Sequence, residues 1–115
     1  MALSLMLERT VLNNVDDAAG RWQYEGGTVF EDKRQVGFYA STKRVIFGAT
    51  DAQNTAMLTL EVFFAPQMPP QNMVMHGAHD FNSGGEIGSV SAASAGFAAH
   101  IGKEFHRVGN LLTIA

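Results

Sequence analysis

The sequence predicts an all-β fold, an eight-stranded antiparallel up-and-down barrel formed by one domain over residues 1–115. Three observations carry that expectation. The dominant apolar period is two rather than 3.6. Glycine and short polar clusters punctuate the chain at spacings of about 8–12 residues, the rhythm of a sandwich or a barrel. The chain has 115 residues, 46% of them hydrophobic, which gives one core and not two. Closure into a barrel is favoured at this length because it removes both sheet edges.

The elements follow in order. Residues 3–11 form a first strand, closed by Asn13-Asn14 and Asp16-Asp17. Residues 21–30 form a second, and the Gly26-Gly27 pair inside it predicts a bulge or a sharp bend. The charged turn Glu31-Asp32-Lys33-Arg34 leads into a third strand, 35–47. Gly48-Ala49-Thr50-Asp51 and Gln53-Asn54 make the next turn. Residues 56–65 have the strongest strand character and stop at Pro66-Gln67-Met68-Pro69-Pro70, since proline cannot join a central ladder. A fifth strand, 72–81, precedes the turn Asn82-Ser83-Gly84-Gly85. Shorter strands are expected at 86–92, 97–101 and 110–115. The alanine-rich stretch 92–100 is open to a short helix, although Gly96 favours a turn.

Composition excludes several classes of function. Eight Lys and Arg against 11 Asp and Glu, a formal charge of −3, do not make a nucleic-acid grip. The absence of cysteine removes disulfides, thiolate metal sites, Fe–S clusters and a cysteine nucleophile. His76, His79, His100 and His106 match no zinc spacing, so no metal is expected. There is no phosphate-binding glycine loop or nucleophile elbow, and no cofactor is expected. The apolar opening, residues 1–7, lacks the basic start and small-residue cleavage site of a signal peptide. No run approaches the ~18–20 apolar residues of a membrane span. The expectation is a cytoplasmic domain without a membrane or nucleic-acid partner. Along 57–64, Met57, Thr59, Glu61 and Phe63 share one face, and Leu58, Leu60, Val62 and Phe64 the other. One face lines the lumen; the other needs cover, which predicts a homo-oligomer, a trimer or a dimer.

Four stretches resemble the allene oxide cyclase and dirigent barrel superfamily: GTVFEDKRQVGFYAST at 27–42, MLTLEVFF at 57–64, NMVMHGAH at 72–79 and EIGSVSAASAGFAAHIG at 86–102. The last carries Ser94, Phe97 and Gly102 at the family's C-terminal spacing, with Ala92, Ala93 and Ala95 where relatives have glycines. The resemblance spans about residues 21–115 and is to the smaller, bacterial-type members. It implies a calycin-like barrel, frequent trimers, and a cyclase, isomerase or ligand-steering role on an apolar, flexible small molecule. In cyclase relatives a first-strand carboxylate can reach the pocket, which makes Glu8 a candidate by resemblance.

Among the residues themselves, Glu61 stands out as a mid-strand acid between apolar neighbours, costly to bury unless partnered or functional. With Met57, Thr59 and Phe63 facing the lumen, it becomes a buried acid in an apolar pocket; the alternative is a structural or exposed carboxylate. Hairpin pairing places His76 near it, a pair suited to general acid–base catalysis. His76 and His79 lie on opposite faces and cannot share a metal. Asp80 is expected to cap the following turn. Tyr39, Ser41 and Lys43 share one strand face, and Trp22 and Tyr24 another. With Met57 and Phe63 these aromatics are candidates for lining a substrate pocket, or are ordinary core. Three functions share the fold: a cyclase or isomerase that holds its substrate in a reactive conformation, a non-catalytic ligand-binding barrel, and a structural oligomerisation module. A lumen filled by Phe and Met side chains would leave no room for the first two.

Overall fold

The computed structural model describes residues 2–47 and 55–115. The chain is a closed barrel of eight antiparallel strands in sequential order, β1 (Leu3–Asp16), β2 (Gly20–Glu31), β3 (Arg34–Ile46), β4 (Thr55–Phe64), β5 (Gln71–His79), β6 (Glu86–Ala93), β7 (Glu104–Val108) and β8 (Leu111–Ile114). The expected architecture is therefore the observed one, with one strand exchanged. Residues 97–101, expected as a strand, lie mostly in a 3-10 helix, Ala95–His100. The seventh strand is 104–108 instead, paired with β6 and β8. Its sequence, Glu-Phe-His-Arg-Val, has one large apolar side chain on its inward face, too weak a period to stand out alone.

Local chemistry explains the joins. Asp32 and Lys33 both take positive φ, 51° and 65°, in the two-residue turn that matches the twist of a hairpin. The bulge foreseen at Gly26-Gly27 exists, but its extra residue is Thr10 on β1, opposite those glycines. A Cβ on Gly27 would lie 1.9 Å from the Glu8 carbonyl oxygen, so this close crossing requires glycine. Asp80 caps its turn as expected, accepting from the Asn82 amide at 3.1 Å and the Ser83 hydroxyl at 2.8 Å.

Alternation decides which side chains face in. Leu5 and Leu7 on β1, Val29 on β2, Leu58, Leu60 and Val62 on β4, Met73 and Met75 on β5, and Phe105, Leu112 and Ile114 on β7 and β8 are all sealed in the lumen. The turns at Asp32-Lys33 and after β4, together with the 3-10 helix, form the floor. There Phe97 stacks on Phe64 at 4.2 Å and closes the barrel. At the opposite end β1, β2 and β3 outrun the short β7 and β8. β8 meets β1 only from Leu3 to Met6, so the rest of β1 is paired with β2 alone among the described residues. The molecule is correspondingly long, 44 × 25 × 23 Å. The overhanging hairpin is clamped by Arg44, which forks onto Asp17 at 2.7 and 2.9 Å and lies over the Trp22 ring. No described helix is long and apolar enough to cross a membrane.

Candidate functional site

The inward face of β4 is Leu58, Leu60, Val62 and Phe64, not the mixed face of Met57, Thr59, Glu61 and Phe63. This corrects the expected lumen lining. Leu58, Leu60 and Val62 form the uniformly apolar face, and burying it spares the cost of enclosing a threonine and a glutamate. Glu61 lies on the outer wall and accepts a 2.7 Å hydrogen bond from the Asn72 amide. His76 is near it on the same outer wall, paired in register with Thr59, but exposed and 2.7 Å from the Ser91 hydroxyl. The Glu61 and His76 pair is thus neither luminal nor joined by a hydrogen bond. Phe63 stacks on Phe38 outside the barrel, with centroids 4.8 Å apart. Trp22 sits under Arg44, and Tyr24 and Met57 are exposed on the outer wall. Of the expected lining residues, Tyr39 points into the lumen and Glu8 reaches the rim of its open end.

The apolar lumen has no room for a ligand. Its Leu, Met and Val side chains and Phe105 expose at most 1% of their surface to a water-sized probe, internal voids included. Space opens above them, toward the overhanging hairpin, in a cavity of about 500 Å³. Its walls are polar: Glu25 of β2, Lys43 of β3, His79 of β5, Glu86 of β6 and Arg107 of β7 face it, with Arg9, Gly85 and Asn110 at the rim. Val45 is the apolar exception.

Four of these side chains form two crossed ion pairs. Arg107 grips Glu25 with both terminal guanidinium nitrogens, Nη1 to Oε1 at 3.1 Å and Nη2 to Oε2 at 2.5 Å. Tyr39 donates its hydroxyl to the same Oε2 at 2.8 Å from below. Lys43 donates to Glu86 Oε2 at 3.1 Å. The side chains of Glu25, Glu86 and Arg107 expose 8%, 9% and 11% of their surface, against 28% for Lys43, so the first three are held away from bulk solvent. Burial pushes the Glu25 carboxyl up, but the Arg107 bonds and charge, with the Tyr39 hydroxyl, outweigh it and hold it below the usual carboxylate range. Tyr39 is pushed up to about 12 by burial and by its bond to Glu25, and so remains a neutral donor.

Glu86 is left incomplete. Its Oε1 is buried and accepts no hydrogen bond, with Arg107 Nη1 no closer than 3.8 Å. A buried carboxylate oxygen with no donor is costly, and such atoms concentrate where a ligand or water completes the set. Among the described residues, no three histidine or carboxylate side chains converge as a metal site requires.

Sequence reasoning grouped Tyr39, Ser41 and Lys43 on one face but missed Glu25, Glu86 and Arg107. The available signal was parity: Glu25 shares its face with Val29, which alternates in step with Gly27. No protein-family model matches the chain, and no curated protein or solved structure matches it.

Proposed function

We propose that this chain is a small-molecule-binding barrel whose ligand is held at the polar open end of the lumen. The observation that carries the reading is the division of the interior: a sealed apolar floor beneath a cavity of about 500 Å³, a volume in the range of small-ligand pockets, lined by buried, pre-positioned ions. The eight-stranded antiparallel barrel supports the resemblance to allene oxide cyclase and dirigent barrels. The polar walls favour a ligand with hydrogen-bonding groups over the wholly apolar one that the resemblance implies.

A cyclase or isomerase acting by conformational restriction is the second reading. Glu86 Oε1 favours it, as a carboxylate oxygen free of donors beside the space a substrate would fill. Self-association into a dimer or trimer belongs to the same proposal, supported by half-exposed Phe38 and Met57 on the outer wall.

The test is a fragment screen by amide NMR on the whole chain. Hits are expected to shift Glu25, Glu86 and Arg107, to leave Leu60 and Met75 unmoved, and to disappear in Asn110→Trp, which plugs the rim. Hits at the floor residues, or none anywhere, overturn the reading.

A further inference from the structure

The charge balance of the cavity names the kind of molecule it takes. Among the described residues, Glu25 and Glu86 are matched by Arg107 and Lys43, Glu8 and Arg9 bring one charge of each sign to the rim, and His79 faces the same space. An anion brought to Lys43 or Arg107 would stand beside Glu86 or Glu25, the carboxylates already bonded to them. A cation brought to Glu86 Oε1 would stand beside Arg107, 3.8 Å from that oxygen, and near Lys43, 3.1 Å from the other. Like charges at that range repel strongly inside a protein. The unmet requirement is for a donor and not for a charge.

We infer that the cavity recognises an uncharged polar molecule, one that presents a hydroxyl or amide N–H to Glu86 Oε1. Lys43, the most exposed of the four ions, has ammonium hydrogens left for an acceptor on the same molecule. Val45 supplies an apolar patch for its carbon skeleton. The ligand class is therefore a compact neutral alcohol or amide with an adjacent carbonyl or hydroxyl oxygen. Glu86 selects it because a neutral donor satisfies the buried oxygen without disturbing either ion pair. This inference rests on the cavity being a ligand site, as proposed above.

Three probes of matched size separate the possibilities: pentanamide, pentanoate and pentylammonium, each titrated into the whole chain and followed at the amides of Gly85, Glu86 and Arg107. Pentanamide is expected to give saturable shifts at lower concentration than either ion. Glu86→Gln should weaken pentanamide about ten-fold, because a neutral acceptor forms the weaker bond, while Glu61→Gln on the outer wall should leave the titration unchanged. Tighter binding of either ion, or an unchanged pentanamide titration in Glu86→Gln, overturns the inference but not the site. Silence of all three probes at these amides overturns the inference and counts against the cavity itself. Should Glu86→Gln fail to fold, the ranking of the probes on the unaltered chain decides alone.

Discussion

The two halves of the lumen solve opposite problems within one barrel. Toward the floor, β1, β4, β5 and β8 turn Leu, Met, Val and Ile inward, and the space is filled. Toward the open end, β2, β3, β6 and β7 turn Glu25, Lys43, Glu86 and Arg107 inward, and space remains. The floor is held by close packing, in which every methylene counts. The open end is held by charge pairing, which stabilises only while both partners are present. Stability and binding are thereby divided between the ends of one barrel, with Tyr39, buried in the floor and bonded to Glu25, tying them together.

The largest test of that division is Arg107→Ala. Removing the guanidinium leaves the buried Glu25 carboxylate with the Tyr39 hydroxyl but no cation bonded to it, and should cost about 3–5 kcal/mol of unfolding free energy by urea titration. The double variant Glu25→Leu with Arg107→Met should recover much of the loss, since an apolar pair needs no partner. A cost near that of a surface pair, below about 1 kcal/mol, would mean that the open end is solvated and the contrast false.

Next comes Leu60→Ala, which empties part of the packed floor and should cost about 2–5 kcal/mol. Its counterpart, Phe38→Ala, removes a ring from the outer wall and the stacking on Phe63, worth about 1 kcal/mol. Light scattering on the same pair tests the outer wall as an interface: Phe38→Ala should lower the molecular mass, and Leu60→Ala should not. A monomeric parent chain removes that role from the outer wall.

The smallest effect is that of pH. The folded Glu25 carboxyl is held below its ordinary value of 4.5. Its stabilisation is therefore whole above that pH and is lost as pH falls through the lower folded value. Tyr39 works in the other direction: raised from 10.0 to about 12, it contributes fully below pH 10 and loses its contribution between 10 and about 12. Melting curves should be flatter below pH 4.5 in Glu25→Gln than in the parent; identical acid slopes would show that the pair does not influence folding.

Much of the barrel was legible because turn chemistry and period two are local signals. Asp32-Lys33, the proline-rich stop after β4 and the Asp80 cap all sit within a few residues of what they control. The site was less legible for two physical reasons. Arg107 and Glu25 meet across 82 residues, so nothing near either one announces the other. The lumen face of β4 was misjudged by following Glu61, a conspicuous acid, instead of the four consecutive inward positions that carry no polar atom. A lone carboxylate on a mixed face is more simply placed outside, where Asn72 satisfies it.

The unequal strand lengths have one further consequence. Beyond Leu7, whose amide still donates to the Asn110 carbonyl, β1 presents backbone amides and carbonyls that no second strand occupies among the described residues. The closed barrel thus keeps an exposed margin here, the kind of margin along which chains stack into aggregates. This margin is poorly shaped for stacking. Thr10 bulges out of line, Glu8 and Arg9 put opposite charges beside it, and Asp16, held by Arg21 at 2.7 Å, marks its far end. Glu8 and Arg9, which line the rim of the cavity, thereby also keep that margin from becoming a template for misassembly.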